Sequence, residues 1–227
     1  MNRAGAGIAA VAALTIGCTT GPPPPAVDAG TTPVTEPGPV DPAAIRRVLG
    51  LLPADYEHTD TVDLASPAGI WGLGPDATAD PPECAALADP AGARDPAARG
   101  VSGSGGGGIV YAVVAPAPEP DPALSDRCPT WRMTFARSTI DVDLIDAPHI
   151  DGVPTLGMTS RGATMVEGGG EIDSLAYTFS AYLDGYRAVT AVVVDPGSPH
   201  PQLDAGFAAD LLVSAVAELR GAAQPVG

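Results

Sequence analysis

The sequence predicts an α+β domain: an antiparallel sheet of about five to six strands covered by N- and C-terminal helices. Three observations predict it. From residue 109 to residue 194 the chain reads as successive strand-like runs with no helical stretch between them. Tight-turn signals separate those runs, Gly168-Gly169-Gly170 and above all Asp184-Gly185. The two ends of the foldable region carry helix signatures.

The first 17 residues lie outside that domain. Arg3 heads an apolar stretch over residues 4–17. A spanning helix needs roughly 20 apolar residues, so this stretch is too short to cross a bilayer and fits the core of a signal peptide. Gly17 then precedes Cys18, as a small residue precedes the lipid-modified cysteine of a bacterial lipoprotein. Thr15 stands where such a site usually has an aliphatic residue, with Leu14 one position early. Residues 18–41 are rich in Pro, Thr and Gly and cannot build a core. They are expected to be a disordered tether of partly polyproline-II character, reaching up to roughly 70 Å at about 3.1 Å per residue. Residues 42–222 form the expected single domain.

Asp41-Pro42 opens a helix through Ile45, Val48 and Leu49, which stops before Pro53. Residues 60–73 read as extended. Asp80-Pro81-Pro82-Glu83 repeats the capping pattern ahead of a short helix carrying Cys84 and Leu87. Residues 102–108 read as a flexible glycine run. Strands are expected at 109–115, a central one, then at 131–136, 140–145, 156–166, 175–183 and 187–194. A helix over 204–220 closes the chain, with Phe207, Leu211, Leu212, Ala215, Val216 and Leu219 on one stripe.

Charge narrows the function classes. The chain has 11 Arg and Lys, all Arg, against 27 Asp and Glu, a formal charge of −16. Removing residues 1–17 takes away only Arg3, leaving 10 cations against the same 27 acids. Such a surface does not bind nucleic acid, and an anionic leaflet repels it. Attachment to a membrane would therefore rest on lipid at Cys18, where more than one acyl chain suffices. Cys84 and Cys128 remain. In an exported domain two cysteines read as one disulfide, the other readings being two free thiols or half of a zinc site.

No motif carries catalysis. Gly103, Gly105 and Gly108 match the G-x-G-x-x-G spacing, but a strand follows where a dinucleotide loop needs a helix N-terminus. Ser102 and Ser104 lack the nucleophile-elbow context. His58, His149 and His200 are scattered and read as solvated loop residues. Asp141, Asp143 and Asp146 could offer oxygens to calcium, but alternation makes them the wet face of a strand. Trp71 and Trp131 read as core. No cofactor or metal is implied.

Several segments carry a resemblance. These are Leu51-Leu52-Pro53-Ala54-Asp55-Tyr56-Glu57, Trp71-Gly72-Leu73-Gly74, Pro81-Pro82-Glu83-Cys84, the glycine run into Ile109-Val110-Tyr111, and Phe207 through Gly221. In them the chain resembles the small mycobacterial lipoproteins that carry a domain of unknown function. It is more distantly similar to the extracellular sensor domain of the mycobacterial kinase PknH. That likeness implies an antiparallel sheet with helices, disulfides and a cleft, but no catalytic residues. The expectation is a non-enzymatic, lipid-anchored protein on the outer face of the cell membrane. It would bind a small molecule, envelope lipid or glycan in a cleft between sheet and helices. Docking on another envelope protein is the alternative, and a hydrolase using one of the histidines the third reading.

Overall fold

A computed structural model of the chain describes residues 38–60, 62–89, 91–194 and 196–221, which belong to one compact unit. The signal-peptide and Cys18 readings and residues 18–37 of the expected 18–41 tether lie outside the described residues; its last residues belong to the domain, with Val40 packed against the core.

Asp41 starts the first helix as its sequence predicts, its carboxylate accepting the Ala43 N–H at 3.0 Å. The helix, Pro42–Leu51, has 3₁₀ geometry and buries Ala44, Ile45 and Val48. The closing helix, α4 (Ala205–Leu219), is capped by Asp204 and buries the predicted stripe except Phe207, which is half-buried. The two helices are joined directly, the Asp41 N–H donating to the Leu219 carbonyl at 2.9 Å.

The sheet has nine antiparallel strands, more than the five to six expected. They are β1 (Glu57–Thr59), β2 (Thr78–Asp80), β3 (Arg99–Gly105), β4 (Gly108–Pro116), β5 (Thr130–Phe135), β6 (Ser138–Ile145), β7 (Thr155–Met165), β8 (Glu171–Leu183) and β9 (Tyr186–Val194). Their order across the sheet is β1-β3-β4-β9-β8-β7-β6-β5-β2. The six long apolar or alternating runs are the strands the pattern predicts. The three additional ones leave little pattern. β1 and β2 are three-residue edge strands, short and exposed as edges that resist further pairing tend to be.

β3 overturns the reading of residues 102–108 as a flexible run. It pairs with β4 from Arg99↔Val114 to Gly105↔Gly108, a tight hairpin. Its glycines serve close packing. A side chain at Gly105 would meet the ring of Tyr56, and one at Gly107 the Tyr56 hydroxyl, while Gly108 takes φ +124°. Two smaller corrections follow. Residues 67–70 form a helical turn, α1 (Pro67–Ile70), capped by Ser66, inside the segment expected to be extended. Asp80 does not cap a helix; it lies in β2 opposite Arg132, and Pro81 precedes a 3₁₀ turn, Pro82–Cys84, that runs into α2 (Ala85–Ala88).

Strand alternation separates two cores. On one face Val110, Ala112, Val114, Ala188, Val192, Phe179 and Ala181 pack against the Pro42–Leu51 helix and α4. Thr190, buried in that face, donates to the Ala208 carbonyl at 2.7 Å. On the other face Val189 and Ala191 meet Ile70. Farther across it Met158, Ile140, Val142, Trp131 and Met133 meet Leu73, Leu87 and Leu124, the last on α3 (Ala123–Arg127). Cys84 and Cys128 lie in this second core and are joined as a disulfide, with Cα atoms 5.7 Å apart. Cys84 sits immediately before α2 and Cys128 immediately after α3, so the bond staples these two helices together.

Candidate functional site

The stapled helices and the β8–β9 hairpin enclose a cleft. It has a volume of about 400 Å³ and is lined by Ala86 and Asp89 of the α2 end, Leu124 of α3, Tyr182 of β8, Arg187 of β9, and Pro118, Pro120 and Asp121. The wall from residue 116 to 122 alternates prolines at 116, 118, 120 and 122. Each fixes its own φ, which stiffens the wall. Ala117 ties it to the sheet by donating to the Gly185 carbonyl at 3.0 Å. Gly185 and Asp184 form the predicted β8–β9 turn, both with positive φ.

Arg187 is the central residue. It sits directly opposite Tyr182 in the hairpin register and is buried, with 3% of its surface exposed. Its Nη2 donates to the Ala65 carbonyl and to the Asp89 carboxylate, each at 2.8 Å. Asp89 ends α2 in the left-handed conformation (φ 49°), and its other oxygen accepts the Gly92 N–H at 3.0 Å. Its side chain is 31% exposed, so the pair is dry on the arginine side and open on the acid side. Arg187 Nε is buried without a protein partner. An orphaned buried donor costs about 1–3 kcal/mol, and this one is sealed away from the cleft by its neighbours. Burial raises the Tyr182 pKa above 10.0, against the charge and hydrogen bond of Arg187. The phenol is therefore a neutral donor at ordinary pH. Asp121 accepts the Ala123 N–H at the head of α3 and pairs with Arg127, which lowers its pKa. A smaller hollow of about 100 Å³ shares Pro120, Asp121 and Tyr182 with the cleft and adds Glu119 and Ser125.

A second polar concavity, about 430 Å³, lies on the half of the helix-packed face that none of the described helices covers. There Arg132 grips Asp141 through two hydrogen bonds, 2.7 and 3.1 Å, and Arg161 reaches Asp143 at 2.8 Å. The hydrogen bonds from Arg132 lower the Asp141 pKa. These groups satisfy one another in water, where such pairs contribute at most about 1 kcal/mol each. Asp141 and Asp143 thus form the wet strand face that alternation predicts. A hollow of about 330 Å³ lies between Leu64, Leu73, Ala93 and Phe135; the charged group that lines it, Arg94, is exposed and paired with Asp63.

The remaining sequence candidates fall elsewhere. His58 Nε2 lies 3.2 Å from the Pro53 carbonyl, and His149 Nε2 lies 3.0 Å from Asp151 on an exposed turn. Among the described residues no three His, Cys, Asp or Glu side chains gather as a metal site. Trp131 is core, and Trp71 donates to Thr178 Oγ1 at 3.0 Å. No helix among the described residues is long and apolar enough to cross a membrane. Sequence reasoning missed Arg187, Asp89 and Tyr182. The available signal was a lone Arg at the head of the apolar run Ala188–Val194, where a charge demands a partner.

Residues 41–220 match the family model described as Domain of unknown function (DUF5642). The chain belongs to the DUF5642 family. No curated protein matches it significantly. Among solved structures the DUF5642 domain is similar to an uncharacterized protein from Mycobacterium smegmatis, the Rv0999 ortholog. The two share 23% identity and a TM-score of 0.57 over 80% of this chain and 97% of that one. At that identity the likeness is one of fold. The comparisons give the DUF5642 domain a family and an architecture, and show no link to lipoproteins or to the PknH sensor.

Proposed function

We propose that this protein is a lipid-anchored, extracytoplasmic binding protein without enzymatic activity, which holds a small envelope molecule, lipid or glycan in the Arg187 cleft. The observation that carries this reading is a cleft of about 400 Å³ lined by the ion-paired Arg187 and Asp89 and braced by the disulfide. That size falls in the range of small-molecule sites, roughly 300–1,000 Å³. The disulfide supports it too, since it braces both helical walls in a protein read as exported. Cys18 supplies the anchor, and the resemblance to small mycobacterial lipoproteins supports that assignment.

Two measurements on the full-length protein test the reading. Membrane fractionation of a Cys18→Ala variant should move the protein into the soluble fraction; retention on the membrane refutes the anchor. NMR titration with extracted envelope lipids and glycans should shift resonances of Leu124, Tyr182 and Arg187. Shifts confined to other surfaces refute the cleft.

A second reading, docking on an envelope protein, draws on the far end of the β7–β8 hairpin. Met165, Val166 and Ile172 are exposed there, Ile172 on the face of Thr164, its register partner, and Met165 on the other face of the ribbon. An Ile172→Asp variant should release any such partner from a crosslinked complex while leaving the cleft unchanged.

A further inference from the structure

Between β4 and α3 the chain runs Ala117-Pro118-Glu119-Pro120-Asp121-Pro122. Each proline fixes its own φ at roughly −65°, and Ala117, Glu119 and Asp121, each ahead of a proline, are confined to extended backbone. Residues 117–121 hold no turn, bend, helix or strand. That combination is polyproline II, which Pro122 ends by entering α3 with ψ −25°. Burial follows the same three-residue period. Ala117 is buried and Pro120 partly so, three positions apart, while Pro118, Glu119, Asp121 and Pro122 are exposed. One edge grips the domain and two edges face water.

Both ends of this ridge are held, Ala117 by its bond to the Gly185 carbonyl and Asp121 by its carboxylate on the Ala123 N–H. Among the described residues no backbone hydrogen bond uses Pro118, Glu119 or Pro120, as the solvated backbone of polyproline II requires. Such a ridge is a ready-made ligand, because the fold has already met the cost of ordering it. Its charge specifies a complement. Glu119 and Asp121 lie on it, and exposed Asp184 adjoins Gly185 at its start; against them stands Arg127, paired with Asp121 at 3.4 Å. We propose that the ridge is a docking surface for a protein whose groove sets aromatic rings against Pro118 and Pro122 and a lysine or arginine against Glu119. This docking is independent of what the cleft behind the ridge holds.

The test places a benzophenone side chain at exposed Ala123, beside the ridge, in the full-length protein within the cells that make it, with exposed Val213 of α4 as the control position. Light-driven crosslinking and sequencing of the joined peptides should give a protein adduct at 123 and none at 213. The crosslinked surface of the partner should carry Trp or Tyr together with Arg or Lys. Pro118→Gly, which frees the ridge, and Glu119→Arg, which reverses its charge, should each cut the yield by about five-fold or more. An unchanged melting temperature shows that each variant folds, and should one fail to fold the other decides. Ala86→Trp, which fills the cleft, should leave the yield unchanged. An adduct lost in Ala86→Trp but kept in the ridge variants belongs to the cleft and overturns the proposal. It is overturned equally by no adduct at 123, by an adduct to lipid, glycan or a second copy of this chain alone, by a partner surface without aromatic and cationic residues, or by a yield that survives Pro118→Gly and Glu119→Arg.

Discussion

Removing the acid of the Asp89–Arg187 pair should cost more than removing the arginine, although each of the two makes two hydrogen bonds to its surroundings. Asp89→Asn keeps an acceptor for the Gly92 N–H and suits the left-handed backbone at position 89. It leaves the Arg187 charge 97% buried with no carboxylate to balance it. Losing one partner of a fully buried pair costs roughly 3–5 kcal/mol; with Asp89 31% exposed, the lower end, about 3 kcal/mol, applies. Arg187→Met loses the bond to the Ala65 carbonyl, roughly 1–3 kcal/mol, and frees a carboxylate that water can reach. It also abolishes the orphaned Nε, which offsets part of that loss, leaving about 2 kcal/mol. The double variant should resemble Arg187→Met alone. Urea unfolding at neutral pH with the disulfide intact measures all three. With a slope of about 2 kcal/mol per molar, Asp89→Asn moves the midpoint down by about 1.5 M. The reasoning is refuted if Arg187→Met is the costlier change, or if Asp89→Asn lies within about 0.5 kcal/mol of wild type.

Replacing Cys84 and Cys128 together by Ala should lower stability by about 4 kcal/mol, the loop-closure figure for cysteines 44 residues apart, and a loss below about 1 kcal/mol contradicts the staple. Gly108→Ala should cost more than about 2 kcal/mol, since its φ is +124° and its new methyl meets the Val193 carbonyl. Gly152→Ala, at φ +67° in open space, should cost only about 1 kcal/mol; equal melting temperatures for the two variants would count against the hairpin packing. Burial raises the Tyr56, Tyr111 and Tyr182 pKa values above 10.0. Their folded values exceed the unfolded one, so this contribution to stability is full below pH 10.0 and is lost as pH climbs through the folded values. Tyrosinate absorbance and melting temperature followed together above pH 10 should show late ionisation coinciding with unfolding, with Tyr182→Phe retaining more stability there.

How much of this the sequence carried depends on where its pattern was local. The β4 to β9 runs and α4 were legible because each alternates or repeats at its own period, and because Asp184-Gly185 names its turn. β1 and β2 were not, since three residues hold no period. β3 was misread because Gly100, Gly103 and Gly105 look flexible on paper, while in the fold they are small to admit Leu52, Tyr56 and Val113. The Asp80 cap failed because pairing with Arg132 across β2–β5 outweighed a local signal. The cleft was the least legible part. Asp89 and Arg187 are 98 residues apart, and only the fold sets Arg187 opposite Tyr182 with the α2 end above both. A lone charge in an apolar strand announces that a partner exists without naming it.

Native mass spectrometry of the protein purified from the cells that make it, wild type beside Ala86→Trp, tests the occupied cleft most directly. The wild type should carry, beyond the mass of the polypeptide and of any acyl group on it, an added mass that the tryptophan variant lacks. Equal masses in the two, with or without a bound molecule, contradict it.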